Sequence, residues 1–198
     1  VLRPNRDPVE HLVALLARLP GMGRRSARRA ALRMLTEPEK LLLPLADALK
    51  DAAEAVRRCE RCGNLDSRSP CRICADPGRD QGLVCVVEGV VDVWALERAA
   101  AHQGAYHVLG GTLSALGGTA PADLAIAPLL ERIAVGGVRE VILALPATVD
   151  GASTAHVLAD RLRPTGVAVT RPAQGVPIGG TLDALDDGTL AAALKARR

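Results

Sequence analysis

The chain contains no phenylalanine in 198 residues, and Trp94 and Tyr106 are its only tryptophan and tyrosine. Platforms that stack successive bases on aromatic rings are therefore excluded, and the core must be built from Leu, Val, Ile and Ala. No stretch approaches the ~18 uninterrupted apolar residues of a membrane span. The first residues hold Arg3, Pro4 and Arg6 in place of a signal peptide's apolar run, so a cytoplasmic protein without membrane contact is expected. No GxxxxGK[ST] phosphate loop occurs anywhere, and ATP hydrolysis by this chain alone is not expected. Excess charge is also scarce, at a net +3, which is too little by itself to mark a nucleic-acid binder.

What charge there is lies unevenly. Arg3, Arg6, Arg18, Arg24, Arg25, Arg28, Arg29 and Arg33 face only Asp7 and Glu10 in the same stretch, a local basic patch that suits phosphate. With 48% of its residues apolar, the chain can still bury a sizeable core.

The five cysteines are organised. Cys59-Glu60-Arg61-Cys62, an eight-residue loop and Cys71-Arg72-Ile73-Cys74 form two knuckles that can bring four thiolates to one tetrahedral point. In a reducing cytosol such pairs hold metal rather than disulfides. With four cysteine ligands and no open position, the expected metal is a structural Zn2+. The alternative is a redox dithiol pair. Cys85 stands apart in an apolar run and reads as a core residue.

On the N-terminal side, Asp7-Pro8-Val9-Glu10 predicts a helix start with Asp7 as N-cap and Glu10 completing a capping box. Val9, Leu12, Val13, Leu16 and Leu19 then recur at helical spacing until Pro20-Gly21. Gly21 and Gly23 are expected to take positive φ in a tight turn, and a second helix follows from about Arg24. Its Ala27, Ala30, Ala31 and Met34 fall on one side, with Arg25, Arg28 and Arg29 on the other. Free backbone N–H groups of the turn, flanked by guanidiniums, can hold a phosphate without reading bases. The bland alternative is an αα-hairpin with a solvated basic face. A third helix is expected from Leu45 to about Arg57, delivering the chain into Cys59.

After the cysteines the rhythm changes. Leu83–Val87 and Glu140–Leu145 are continuous apolar runs of buried-strand length, Tyr106–Leu109 and Val167–Thr170 read as shorter strands, and helices are expected over 91–103, 123–135 and 153–162. The alternation predicts a parallel, mostly three-layer α/β sheet, with Glu88 at the C-terminal end of its first strand.

The joint order of LPGMGRRSARRAA (19–31), the four cysteines, VVEGVVDVWALER (86–98), YHVLGGTLS (106–114), TVDGASTA (148–155) and RPAQGVPIGGTLDALDD (171–187) resembles the bacterial recombination-mediator family RecR over nearly the whole chain. The resemblance implies an α/β multidomain protein: a helix-hairpin-helix DNA-binding region (1–57), a four-cysteine zinc finger (58–78), a Toprim domain (79–172) and a C-terminal Walker B-like assembly segment (173–198) that holds Asp183, Asp186 and Asp187. Zinc is expected on Cys59, Cys62, Cys71 and Cys74, with the finger acting as a joint between hairpin and Toprim unit. DNA contact is expected at Gly21, Gly23, Arg25, Arg28 and Arg29.

Toprim enzymes gather carboxylates on Mg2+. Here Glu88 matches the first of them, but the later positions are Pro146, Thr148 and Asp150, of which only the last is acidic. Glu88 and Asp150 are thus two acids for a weakly held Mg2+ or for docking a partner protein. The implied function is non-enzymatic. The chain would bind gapped or junction DNA without sequence preference, as a ring-like homotetramer at the nucleoid, and act with RecO and RecF to help RecA replace single-strand-binding protein. The rival is a Mg2+-dependent Toprim enzyme that cleaves DNA or passes strands.

Overall fold

The computed structural model describes residues 7–100, 102–173 and 189. The chain divides into two compact units at Val56/Arg57.

The first unit is helical. Helix α1 (Pro8–Leu16) starts where Pro8 supplies a preset φ and Asp7 caps it, the carboxylate accepting from Val9 N–H at 3.0 Å. Glu10 does not close a capping box. It turns instead to the next helix, 2.8 Å from Arg28 and 3.6 Å from Arg24. α1 also ends at Leu16, earlier than Pro20, because the following residues tighten into turns in which Arg18 N–H bonds to Leu15 and Leu19 N–H to Leu16.

Helix α2 (Arg24–Thr36) packs on α1 through small residues. Val13, Ala27 and Ala31 are fully buried, with Leu12, Leu16, Ala17 and Met22 around them. Alanines allow the close approach that a cluster of so few side chains needs. A π-helical turn (Pro38–Leu42) runs directly into helix α3 (Leu43–Ala55), so this helix begins before the expected Leu45, with Pro44 tolerated in its first turn. α3 buries no residue: Leu45 is 43% and Leu49 63% exposed.

The second unit opens with a two-stranded antiparallel ribbon, β1 (Arg57–Arg58) with β2 (Leu65–Asp66), that carries the first knuckle. Strand β3 (Asp80–Val87) follows, then α4 (Val90–Arg98), β4 (Gly104–Val108), a 3-10 turn (Pro121–Asp123), α5 (Ile126–Ala134), β5 (Glu140–Ala144), α6 (Val149–Leu162) and β6 (Ala168–Thr170). All four long-range strands are parallel, in the order β4-β3-β5-β6, with Val84 opposite Ala105 and Val141, and Val87 opposite Val108 and Ala144.

Alternation along β3 sends side chains to two different cores. Val84 and Val86 join Leu129 and Ile133 of α5 and Ala155, Leu158 and Leu162 of α6. Cys85 and Val87 face the other way, with Val93 of α4, Tyr106, Val108 and all four clustered cysteines. The finger is therefore part of a covering layer of the sheet.

Helix α6 starts at Val149, four residues ahead of Ser153, because Thr148 caps it, its hydroxyl accepting from Gly151 N–H at 3.1 Å. Gly151 leaves no room for a side chain, since a Cβ there would collide with the Pro146 carbonyl oxygen. Gly151→Ala is expected to cost about 1–3 kcal/mol by forcing the first turn away from the sheet end. Denaturant unfolding of the purified variant measures it, and a loss below about 0.5 kcal/mol would refute this account.

Candidate functional site

The four cysteine Sγ atoms lie within 4.8 Å of one another, and all four residues are buried. A tetrahedral Zn2+ with bonds of ~2.3 Å sets its sulfurs about 3.8 Å apart. Cys62 and Cys71 are 3.6 Å apart, and the donor set fits zinc. Backbone amides already point at the sulfurs, Cys71 N–H to Cys59 Sγ at 3.3 Å and Cys74 N–H to Cys71 Sγ at 3.5 Å, as a thiolate centre requires. As bare thiols the cluster is uneven: its hydrogen bond to Cys74 and burial push the Cys62 thiol far up, while the Cys62 hydrogen bond draws Cys74 down to about 6. Among the described residues no other group of three or more such ligands converges.

The first knuckle turns at Gly63, whose φ of +76° suits glycine, and a Cβ there would meet Val108 Cβ at 3.2 Å. The second is held by Asp66, a residue the sequence reading passed over. Its carboxylate accepts from Ser67 N–H at 2.7 Å, from Arg72 N–H at 2.8 Å and from Arg72 Nε at 3.2 Å. The Arg72 guanidinium beside it holds this carboxyl well below the usual range. An acid four residues beyond Cys62 followed by arginine is a thin signal in sequence, because the pairing forms only once the loop closes.

The finger is joined to the sheet by main chain. Val108 N–H donates to Cys62 C=O at 2.8 Å, on the open side of β4. Arg61 donates to Cys74 C=O at 3.2 Å.

In the hairpin, only Gly21 takes a positive φ, +77°; Gly23 has φ −74° and serves as the N-cap of α2. Among the described residues no side chain caps that end, and none lies within 4 Å of a Cβ placed on Gly23. The first-turn amides are therefore open, with the helix dipole favouring an anion there. Arg25 and Arg29 are exposed and carry no carboxylate partner among the described residues, whereas Arg28 is committed to Glu10 at 2.8 Å.

Glu88 and Asp150 sit beyond the C-terminal ends of the neighbouring strands β3 and β5, both half-buried. Asp150 lies in the first turn of α6 and not in a loop. No third acid joins them in a ligand cluster among the described residues. Asp92, also passed over in the sequence, caps α4 by accepting from Gly89 N–H at 2.9 Å. Tyr106 is fully buried, its hydroxyl donating to Glu97 at 2.8 Å, and Glu97 in turn pairs with Arg79. Burial pushes the phenol up, so it is an anchor of α4 and not a nucleophile. His102 and His107 are buried against main-chain carbonyls, and exposed His156 faces Asp160. The expected Walker B-like segment, with Gly175 to Gly180, Asp183, Asp186 and Asp187, lies outside the described residues.

A helix-hairpin-helix, a four-cysteine finger and a parallel α/β unit with an acid after its first strand define a class of zinc-containing DNA-transaction proteins. Family models match in that order: the RecR helix-hairpin-helix at 9–53, the RecR four-cysteine zinc finger domain at 56–76, the Toprim domain at 82–173 and the RecR C-terminal region at 175–198. The chain is 65% identical over 190 residues to the recombination protein RecR of Gluconobacter oxydans, covering 96% of each. It is 63% identical over 195 residues to that of Granulibacter bethesdensis, again covering 96% of each, and 58% identical over 190 residues to that of Parvibaculum lavamentivorans, covering 96% of each. The chain belongs to the RecR family, it carries a structural zinc finger, and its role lies in recombinational DNA repair. Among the described residues no helix is long and apolar enough to cross a membrane.

If the finger's metal secures the edge of the sheet, removing zinc with a chelator should expose the Val108 amide first. Hydrogen exchange at Val108 is expected to accelerate before exchange at Val84 or Val86 in the sheet centre. Simultaneous loss of protection at all three would contradict this order.

Proposed function

We propose that this chain is a non-enzymatic recombination mediator that binds duplex DNA at gaps or junctions without sequence preference. Gly21, Gly23 and the first-turn amides of α2 receive a backbone phosphate, and Arg25, Arg28 and Arg29 neutralise it. The observation that carries this reading is the uncapped, sterically open start of α2 beside two arginines that have no carboxylate partner among the described residues. Arg28 contributes charge while tying α2 to Glu10, which makes it the least separable of the three.

Copies assemble into a tetrameric ring around the DNA. Support comes from α3, none of whose side chains is buried among the described residues, so that an apolar helix is left for a neighbour to cover. Several copies presented together convert a modest basic patch into avid binding. Cys59, Cys62, Cys71 and Cys74 hold one Zn2+, and Glu88 and Asp150 serve as a docking surface for a protein partner. With RecO and RecF the ring helps RecA replace single-strand-binding protein, in the bacterial cytoplasm at the nucleoid. The working division is 1–57 for DNA, 58–78 for zinc, 79–172 for the Toprim domain and 173–198 for assembly.

Arg25→Ala/Arg29→Ala is expected to weaken duplex binding and to flatten the log–log salt dependence by about 2 per bound chain, since each lost phosphate contact removes ~0.9 from the slope. Unchanged affinity and slope would place the DNA elsewhere. The second reading, a Mg2+-dependent Toprim enzyme, rests on Glu88 and Asp150 lying beyond adjacent parallel strands. Incubation with Mg2+ and nicked, supercoiled or single-stranded DNA is expected to give no cleavage. Cleavage that Glu88→Ala abolishes would establish the enzyme instead.

A further inference from the structure

Strand β4 lies at the edge of the sheet, so among the described residues no strand pairs with one side of its backbone. Tyr106 and Val108 are two residues apart and present their polar backbone groups to the same side. Val108 N–H is taken by Cys62 C=O at 2.8 Å, and Tyr106 C=O accepts from Arg132 Nη1 at 2.9 Å. Arg132 is carried by α5, whose Ile126, Leu129 and Ile133 pack on the opposite face of the sheet from the finger. Its side chain therefore reaches round the open edge to the place where the knuckle docks.

Arg132 is half-buried, yet among the described residues no carboxylate lies within 4 Å of its guanidinium. Arg61 is exposed and likewise has no carboxylate within 4 Å of its guanidinium among the described residues; it precedes Cys62 and donates to Cys74 C=O at 3.2 Å and to Gln81 Oε1 at 3.5 Å. Both arginines line one cleft, together with Glu60, Glu131 and Gln81, and neither glutamate closes on either of them to ion-pair distance. Two guanidiniums lining one cleft, one of them half-buried, repel each other unless negative charge is near. Four thiolates on Zn2+ carry a net charge of −2, and the finger supplies that charge beside them.

We propose that Arg132, assisted by Arg61, is the counter-charge of the zinc–thiolate centre, a positioning residue that retains the metal while its hydrogen bond to Tyr106 closes the sheet edge. The geometry that carries this is the Arg132 hydrogen bond to Tyr106 C=O, two residues along the strand from the Val108 amide whose N–H Cys62 C=O accepts, and the cleft that Arg132 shares with Arg61 of the finger. Loading zinc turns four thiols into a centre of charge −2, so a fixed cation favours the loaded state over the empty one. The finger's charge is thus compensated from the sheet domain, by a residue more than fifty positions beyond its last cysteine.

This inference rests on zinc occupying the four cysteines, so zinc content comes first. The full chain should hold one Zn2+ per protomer, and a metal-free wild type would overturn the zinc assignment itself. Zinc transfer to an excess of a chromogenic chelator is then timed for wild type, Arg132→Gln, Arg132→Lys, Arg61→Gln and Arg139→Gln, the last being a surface arginine paired with Asp80 at 2.7 Å. Loss of an outer-sphere partner costs a metal site roughly 10–100-fold in affinity. Arg132→Gln should accordingly release zinc about tenfold faster or more, Arg61→Gln by a smaller factor, and Arg139→Gln at the wild-type rate. Arg132→Lys keeps the charge and should stay near wild type. Wild-type release from Arg132→Gln overturns the proposal, and so does equally fast release from the Lys and Gln variants, which would assign the effect to the Tyr106 hydrogen bond alone. If Arg132→Gln does not fold, faster release from Arg61→Gln than from Arg139→Gln, with Arg132→Lys at the wild-type rate, supports the proposal, and wild-type release from Arg61→Gln overturns it.

Discussion

The second unit depends on a single class of contact, the capture of β4's open edge by the finger. A parallel sheet of four short strands has two exposed edges and two apolar faces, and each must be covered or paired. Helices α5 and α6 cover one face. Among the described residues the other is covered by α4 and completed by the finger, with Cys59, Cys62, Cys71, Ile73 and Cys74 packed beside Cys85, Val87, Tyr106 and Val108. Cys62 C=O on Val108 N–H sets the position of that layer, and Gly63 lets the backbone come close enough to make the bond. The finger thus substitutes for a covering helix. Its folding energy, which includes that of metal binding, is shared with the sheet.

The first unit is built on the opposite principle. Its buried cluster is small, centred on Val13, Ala27 and Ala31, while Leu19, Leu32, Leu45 and Leu49 remain more than 40% exposed. The Glu10 pairs with Arg28 and Arg24 are exposed on both sides, and exposed pairs of this kind contribute at most ~1 kcal/mol each. A core so slight leaves the hairpin's geometry to its alanines and to the Gly21 turn. That economy also leaves the start of α2 bare, because a side-chain cap at Gly23 would occupy the amides that a phosphate needs.

Much of this was legible in the sequence wherever the signal is local. Two CxxC knuckles eight residues apart declare a metal site because ligand spacing is short-range, and Leu83–Val87 and Glu140–Leu145 read as buried strands because both faces are apolar. Element boundaries were less legible. Helix α3 begins at Leu43 and not at the expected Leu45, since a first-turn proline is compatible with the helix, and Thr148 caps α6 four residues before the expected start. Long-range partners were invisible. Glu10 looked like half of a capping box until α2 was beside it, Asp66 gains its role only when the loop brings Arg72 back, and Arg132 is one exposed-looking basic residue of an amphipathic helix until the sheet edge is placed. In each case the partner is set by tertiary closure, which periodicity does not encode.

At the strand ends where Toprim enzymes gather acids, this chain places groups that hold its backbone in position. Thr148 spends its hydroxyl on Gly151 N–H, and the Pro146 carbonyl is pressed against Gly151. Thr154, fully buried one turn on, accepts from Leu113 N–H at 2.8 Å while donating to Asp150 C=O at 2.6 Å, which ties the loop after β4 to the start of α6. These positions are committed to holding backbone in place. A Mg2+ cage asks for carboxylates that are free to converge and to share water. An aspartate at Thr148 would cap α6 at least as well as the threonine, but a carboxylate bonded to Gly151 N–H is no longer free to converge on a metal, so in this chain the cap of α6 and a full acidic cluster draw on the same position. The arrangement leaves Glu88 and Asp150 half-buried beyond the ends of β3 and β5, with no third acid in a ligand cluster beside them among the described residues.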